Sequence, residues 1–367
     1  MAVSYDTNKP LVLVTGATGN LGQSICAGLE SDYTVVGLDR DRASGKRQVI
    51  EMDITCESSI REALATIRRD FGSRIAAILH LIAYYDFSGE PDPLYDEVNV
   101  KGTRDFLGVL EDFEVDRFIY TSTMLVHRPV VPDDKIDEDT PVDPRWEYPR
   151  SKARAEATIR SNTTMPYAIL RLAGVYDEQT SVPTLSNQIA RIYSRDLQSH
   201  LYAGLLDAGQ AMLHREDLID AIRRTIARRG YLPEEVTMLI GEPETLGYDT
   251  IQDMLGRLIH GEDVWQTIKI PPPLAKLGSK IQNLSETLIP DALDGGDKPF
   301  IQPYMIDMAD DHYELDISLA RTLLGWEPQH RLGEELPGIV RHLQADPDAW
   351  HRINGVAFSG KNRAEER

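Results

Sequence analysis

The stretch Leu11-Val-Leu-Val-Thr15-Gly16-Ala-Thr-Gly19-Asn-Leu-Gly22 decides the fold class. Its first five residues are apolar or β-branched and carry no charge, the pattern of a strand buried on both faces. Three glycines at intervals of three then lead into an amphipathic segment. One glycine permits a tight turn, one lets backbone amides approach a pyrophosphate with no Cβ in the way, and one lets the following helix pack closely on the strand.

Outward from this junction, short β-branched runs alternate with longer amphipathic stretches. The predicted strands are Leu11–Thr15, Thr34–Leu38, Val49–Met52, Ile75–Leu81, Arg117–Thr121 and Tyr167–Leu172. Between the third and fourth, Ile60, Ala63, Leu64, Ile67 and Phe71 recur at helical spacing, with Ser58 or Ser59 as the cap. Alternation of this kind predicts an α/β chain with a Rossmann-type doubly wound parallel sheet. Residues 130–145, rich in Pro and Asp, read as an excursion over the sheet. Beyond Tyr176 the pattern loosens, with Pro-rich turns at Pro183 and Pro271–Pro273 and a polar stretch over Asp291–Lys298. The expected organisation is a nucleotide-binding domain over 1–176, with returning segments near 205–230. A smaller, irregular α/β substrate domain over 177–204 and 231–345 and a mobile tail over 359–367 complete it. Helices are expected around Ser318–Leu324 and Glu334–Ala345.

Composition narrows the partners. The chain has 367 residues with 59 acidic and 39 basic side chains, a net charge of −20. That disfavours nucleic acid and anionic membranes as partners. Cys26 and Cys56 are too few for a disulfide framework or a thiolate metal site, and no metal is expected. No apolar run approaches the roughly 18–20 residues of a membrane span. A soluble, cytoplasmic protein acting on a small molecule is the expectation.

Asp39 follows the second strand at the distance of a carboxylate that grips ribose hydroxyls. Its charge would repel a 2′-phosphate, which favours NAD; Arg40 and Arg42 can pair with a phosphate, so NADP stays open. Asp53, beside Ile54, is placed either to accept from the adenine amino group or to cap a turn. Tyr148-Pro-Arg-Ser-Lys152 sets a phenol and an ammonium on one helix face, which Pro149 is suited to start. A neighbouring cation favours the phenolate and lets tyrosine exchange a proton with an alcohol or carbonyl near neutral pH.

TGATGNLG, Asp39, Asp53, His80–Ala83, Asn99–Thr103, Tyr120–Thr123, Tyr148-x-x-x-Lys152 and Leu170–Tyr176 together resemble the extended short-chain dehydrogenase/reductase family. More narrowly, they resemble its NAD-dependent epimerase/dehydratase branch, over residues 9–225 and again at Asp316–Pro328. The resemblance implies a catalytic set of Tyr148, Lys152 and Thr123, with Ser122 as Thr123's rival. It implies a cofactor lined by Gly16, Thr18, Gly19, Asn20, Leu21, Gly22, Asp39, Arg40, Asp53, Ile54, Leu81, Ile82, Ala83, Asn99, Thr121, Tyr148, Lys152 and Val175. Asn99 is expected first as a brace of the sheet, and His214-x-x-Asp217 as architecture. A homodimer through the helices beginning near Asn99 and Tyr148 is implied as well.

Departures from the family pattern bear on the reaction. Met124-Leu125 stand where dehydratases of the family carry Asp-Glu, which disfavours dehydration. Gln210 and Ala173 replace an Arg and an Asn of the nucleotide-sugar epimerases, leaving Arg191, Arg195 or Arg215 as substitutes. His127-Arg128 either face the substrate or lie on the surface. Tyr84, Tyr85 and Phe87 are candidate walls of a substrate cleft, with Met124 beside them. These residues point to NAD(P)-dependent hydride transfer between nicotinamide C4 and a secondary alcohol or ketone. The alternatives are a sugar epimerase using the same residues without net redox and, third, an NAD-binding sensor.

Overall fold

The computed structural model describes residues 9–41, 48–86, 90–195, 197–270 and 308–356. Arg42, Phe87, Pro271–Pro273, Asp291–Lys298 and the 359–367 tail lie outside the described residues.

Seven strands form the central sheet: β1 (Leu11–Thr15), β2 (Thr34–Asp39), β3 (Val49–Glu51), β4 (Ala77–His80), β5 (Phe118–Thr123), β6 (Tyr167–Leu172) and β7 (Glu235–Ile240). Their order is β7-β6-β5-β4-β1-β2-β3, and every pairing is parallel. Each parallel neighbour requires a crossover, so helices cover both faces and the inner strands β1, β4, β5 and β6 are buried throughout. The order reverses direction at β1, which opens a crevice beyond the C-terminal ends of β1 and β4.

Helix α1 (Asn20–Leu29) follows the glycine turn, and α2 (Glu57–Phe71) occupies the predicted span. Neither Ser58 nor Ser59 caps α2. The capping position is Cys56, and the Ser59 hydroxyl instead accepts from the Asp53 amide at 3.0 Å. A π-helical segment, Tyr95–Gly102, runs directly into α3 (Thr103–Leu110), which packs beside α4 (Glu147–Asn162). No helix of the described residues is long and apolar enough to cross a membrane.

Three sequence expectations change. The predicted strand at 75–81 is divided: Arg74–Ile75 pairs with Glu114–Val115 in a separate two-stranded ladder, and only Ala77–His80 enters the main sheet. The predicted strand at 117–121 runs two residues further, which carries Ser122 and Thr123 to the sheet's functional edge. Residues assigned wholesale to the smaller domain return to the sheet: β7 pairs with β6 along its whole length. Leu315, Ile317, Ala320 and Leu324, the last two on α8 (Ser318–Leu324), join the core beneath it. Four helices share a separate apolar cluster centred on Tyr176, Trp265 and Trp350: α5 (Pro183–Ser194), α7 (Tyr248–His260), α9 (Leu332–Ala345) and α10 (Pro347–Asn354). Helix α6 (Arg215–Ala227) packs against α1. The 130–145 excursion is irregular, pinned at Val130 to His312 and at Ile136 to Leu315.

Candidate active site

A cleft of about 370 Å³ opens at the sheet's C-terminal edge, between the glycine turn and α4. At its floor, Gly16 has φ +72°, a left-handed conformation that a side chain resists. A Cβ on Gly22 would stand 2.0 Å from the Gly16 carbonyl oxygen, so turn and helix touch through backbone alone. Asp39 braces this turn, with Oδ2 accepting from the Thr18 amide at 2.9 Å and Oδ1 from the Arg40 amide at 2.7 Å. Each carboxylate oxygen accepts more than one hydrogen bond, so Asp39 keeps capacity for ribose hydroxyls.

Beneath the cleft, His80 is fully buried and holds three segments together. Its Nδ1 meets Thr15 Oγ1 at 2.9 Å and its Nε2 meets Thr103 Oγ1 at 3.1 Å. Thr103 Oγ1 gives its own proton to the Asn99 carbonyl, which assigns the ring hydrogen to Nε2. Burial, with the Lys152 charge adding to it, pulls His80 down to about 3, so the imidazole is neutral.

The α4 wall carries the side-chain chemistry. Tyr148 and Lys152 both line the cleft, as do Ser122 and Thr123 at the end of β5. Lys152 is 2% exposed, with its ammonium 4.2 Å from the centroid of the Tyr120 ring. Burial draws its pKa down to about 7, against which the Glu156 carboxylate acts. Burial pushes the Tyr148 phenol well above its ordinary value, and Tyr95 adds to the shift. The Tyr148 ring is met edge-on by Tyr85 at 4.6 Å and flanked by Trp146 at 5.6 Å. Thr123 Oγ1 accepts from the Leu125 amide at 3.2 Å, which leaves its hydroxyl proton for another acceptor.

The expected cofactor residues divide into three groups. Gly16, Gly19, Leu21, Gly22, Leu81, Ala83, Thr121, Val175, Tyr148 and Lys152 share the cleft. Thr18, Asp39, Arg40, Asp53 and Ile54 lie outside it, around the ends of β2 and β3. Asp53 Oδ1 accepts from both the amide and the hydroxyl of Thr55, at 2.9 and 2.7 Å, so the turn role is the one seen. Asn20 reaches the Thr180 hydroxyl at 3.5 Å, and Ile82 packs into the sheet core. Asn99 is committed to bracing: it accepts from the Tyr84 amide at 2.7 Å and donates to the Tyr84 carbonyl and to Ser151 Oγ at 2.7 Å.

Of the substrate candidates, Tyr85 and Met124 line the cleft. Tyr84 turns aside, its hydroxyl donating to Asp92 at 2.8 Å. His127 is corrected outright: it is neither a substrate contact nor a surface residue but fully buried, because Arg171 and the Thr140 carbonyl take its two ring nitrogens, each at 2.8 Å. Arg128 is exposed. The three arginines considered as diphosphate ligands are engaged elsewhere. Arg191 bonds the Leu201 carbonyl and Gln252, Arg195 pairs with Glu262, and Arg215 pairs with Asp177. Gln210 does line the cleft, where its Oε1 accepts from Thr184 at 3.2 Å, and Lys152 is the only charged side chain among the described lining residues. Trp146, Met308 and Tyr313 also line the cleft. Only Trp146, two residues before Tyr148, had a local sequence signal.

His214 and Asp217 are architectural. His214 caps α6 through the Glu216 amide, and Asp217 accepts from the Gln329 and His330 amides, both at 2.9 Å. His214, Glu216 and His330 bring three potential metal donors together, but the two rings stack 3.9 Å apart and 24° from parallel. In that arrangement their in-plane lone pairs do not converge on one ion.

The family model described as the NAD dependent epimerase/dehydratase family matches residues 12–241. The chain is 28% identical over 192 residues to the N-acetyl-alpha-D-glucosaminyl-diphospho-ditrans,octacis-undecaprenol 4-epimerase of Escherichia coli O157:H7, covering 49% of this chain and 54% of that one. It is 31% identical over 120 residues to the L-arabinose 1-dehydrogenase (NAD(P)(+)) of Haloferax volcanii, covering 32% and 42%. The chain spans about half the length of the curated relatives it matches. The fold is similar to that of UDP-glucuronic acid 4-epimerase from Bacillus cereus, solved with UDP-glucuronic acid and NAD, at a TM-score of 0.65 and 18% identity over 91% of this chain and 99% of that one. With the glycine turn, the parallel sheet and the match over most of its length, the chain belongs to the NAD-dependent epimerase/dehydratase family.

Proposed function

We propose that this protein transfers hydride between NAD and a secondary alcohol or ketone, with Tyr148 as the acid–base, Thr123 as the polarising hydroxyl and Lys152 as the tuning cation. The observation that carries this reading is convergence. Two segments, the end of β5 and the first turns of α4, bring Thr123, Tyr148 and Lys152 to the cleft that the Gly16–Gly22 turn opens into. The glycine cradle fits a dinucleotide, since a Cβ at Gly22 would collide with backbone and Asp39 stands at the end of β2. NAD, when bound, supplies the hydride acceptor or donor.

In the reductive direction, the neutral Tyr148 phenol gives its proton to the carbonyl oxygen while Thr123 donates a hydrogen bond to the same oxygen. In the oxidative direction, the Tyr148 phenolate takes the alcohol proton. The nearby Lys152 charge lowers the cost of that anion in a buried wall. Met124, 2% exposed, and Leu125 provide no carboxylate to expel water, which supports hydride transfer without dehydration.

A second reading, a sugar epimerase, draws support from the epimerases among the relatives. One experiment separates the two. Steady NADH accumulation from candidate secondary alcohols is expected; interconversion of two sugar epimers by NAD-loaded protein, with no absorbance change, would replace the dehydrogenase reading by the epimerase. The proposal extends to a cytoplasmic protein that dimerises through the helices beginning near Asn99 and Tyr148; light scattering tests the dimer.

A further inference from the structure

Tyr148, Lys152 and Glu156 follow one another at intervals of four along α4 and so share a face. The Glu156 side chain is 1% exposed and its carboxylate is fully engaged. Ser122 Oγ donates to Oε1 at 2.5 Å and Arg171 Nε at 3.1 Å, while Arg171 and Arg160 reach Oε2 at 2.7 and 3.1 Å. Arg171 gives its remaining nitrogen to His127 Nε2, and His127 Nδ1 holds the Thr140 carbonyl. A continuous set of contacts therefore runs from the 130–145 excursion through β6 and α4 to Ser122, the neighbour of Thr123.

A buried ion pair contributes little stability beyond what apolar packing would supply. Its position beside Lys152 suggests another role. The titratable groups facing the Lys152 ammonium are Tyr120 on β5, neutral His80 on β4, Tyr148 one turn back and Glu156 one turn on. Glu156 is the only anion among them. Despite its burial, the Arg171 guanidinium and the Ser122 hydroxyl hold its carboxyl below the usual range, so it is ionised.

We propose that Glu156 is a positioning residue: pinned by Arg171 and Ser122, its buried carboxylate keeps the Lys152 ammonium charged and seats the Tyr148 helix against Thr123. This rests on the role assigned to Lys152 under the proposed function. The sign is fixed by the chemistry. An ammonium is present below its pKa and lost as pH rises through it, so removing the anion moves that loss to lower pH.

The test uses NAD-saturated protein. In Glu156→Gln, the high-pH limb of kcat is expected to move down by about one pH unit, the equivalent of tenfold in proton affinity. A limb that stays in place while kcat falls overturns the proposal and leaves Glu156 merely structural. Should Glu156→Gln not fold, Glu156→Asp draws the charge back by one methylene and must move the limb the same way by less; an unmoved limb is equally fatal. The pH dependence of Lys152 reductive methylation, mapped by mass spectrometry, reads the same quantity without turnover. If wild-type protein oxidises no alcohol, the functional reading fails; if the methylation midpoint is the same in wild type and variant, this proposal fails independently of it.

Discussion

The two walls of the cleft are built by different means. On the Gly16–Gly22 side the working groups are backbone, and the side chains are small so that turn, helix and ligand can approach closely. On the α4 side the working groups are side chains, each fixed by a neighbour: Tyr148 between Tyr85 and Trp146, Lys152 over Tyr120, and Glu156 against Arg171. The first wall is sensitive to volume, the second to charge. The difference also bears on the net charge of −20, which counts side chains and overlooks the partial positive charge of amides at a helix N-terminus.

Substitutions at the two walls should therefore fail differently. Lys152→Met is expected to lower kcat by at least about 10²-fold while leaving the thermal midpoint unchanged or higher, because an apolar side chain replaces a buried ammonium. A parallel loss of stability, read by calorimetry, would erase the distinction. Gly22→Ala should do the reverse. With a Cβ 2.0 Å from the Gly16 oxygen, it should destabilise the fold by about 1–3 kcal/mol in chemical denaturation and weaken NAD binding in calorimetric titration. Unaltered values in both would mean that the turn tolerates a side chain. A smaller effect is expected at the edge of the first wall: Asp39→Asn should weaken NAD by about tenfold, the loss of charge-assisted hydrogen bonds, and narrow the gap to NADP. Equal discrimination before and after the change would remove Asp39 from cofactor choice.

What was legible in the sequence was local. Leu11–Thr15 is apolar up to its last residue and Tyr167–Leu172 is apolar apart from Arg171, and both strands begin and end at the predicted residues. Tyr148 and Lys152 are one helical turn apart, so their common face follows from spacing alone. β7 was missed because Glu235-Val-Thr-Met-Leu-Ile240 is an edge strand, exposed at its start and flanked by polar turns, and its partner β6 lies more than sixty residues earlier. The network around Glu156 was equally out of reach. It joins Ser122, Arg171 and His127 through the pairing of β5 with β6 and the packing of α4 across them, none of which a local pattern encodes. His127 shows the cost: four residues after Thr123, it reads from sequence as either a substrate contact or a surface residue, whereas the strand pairing aims it at Arg171.

The central claim is that Tyr148 performs the proton transfer beside a cofactor cradle built chiefly by the glycine turn, and Tyr148→Phe tests it most directly. Turnover measured on NAD-saturated variant should fall by at least about 10²-fold, the low end for a positioned acid–base group, while the affinity for NAD stays within about twofold. Retained turnover with NAD binding intact would contradict the account and leave a protein that binds its cofactor without using this tyrosine.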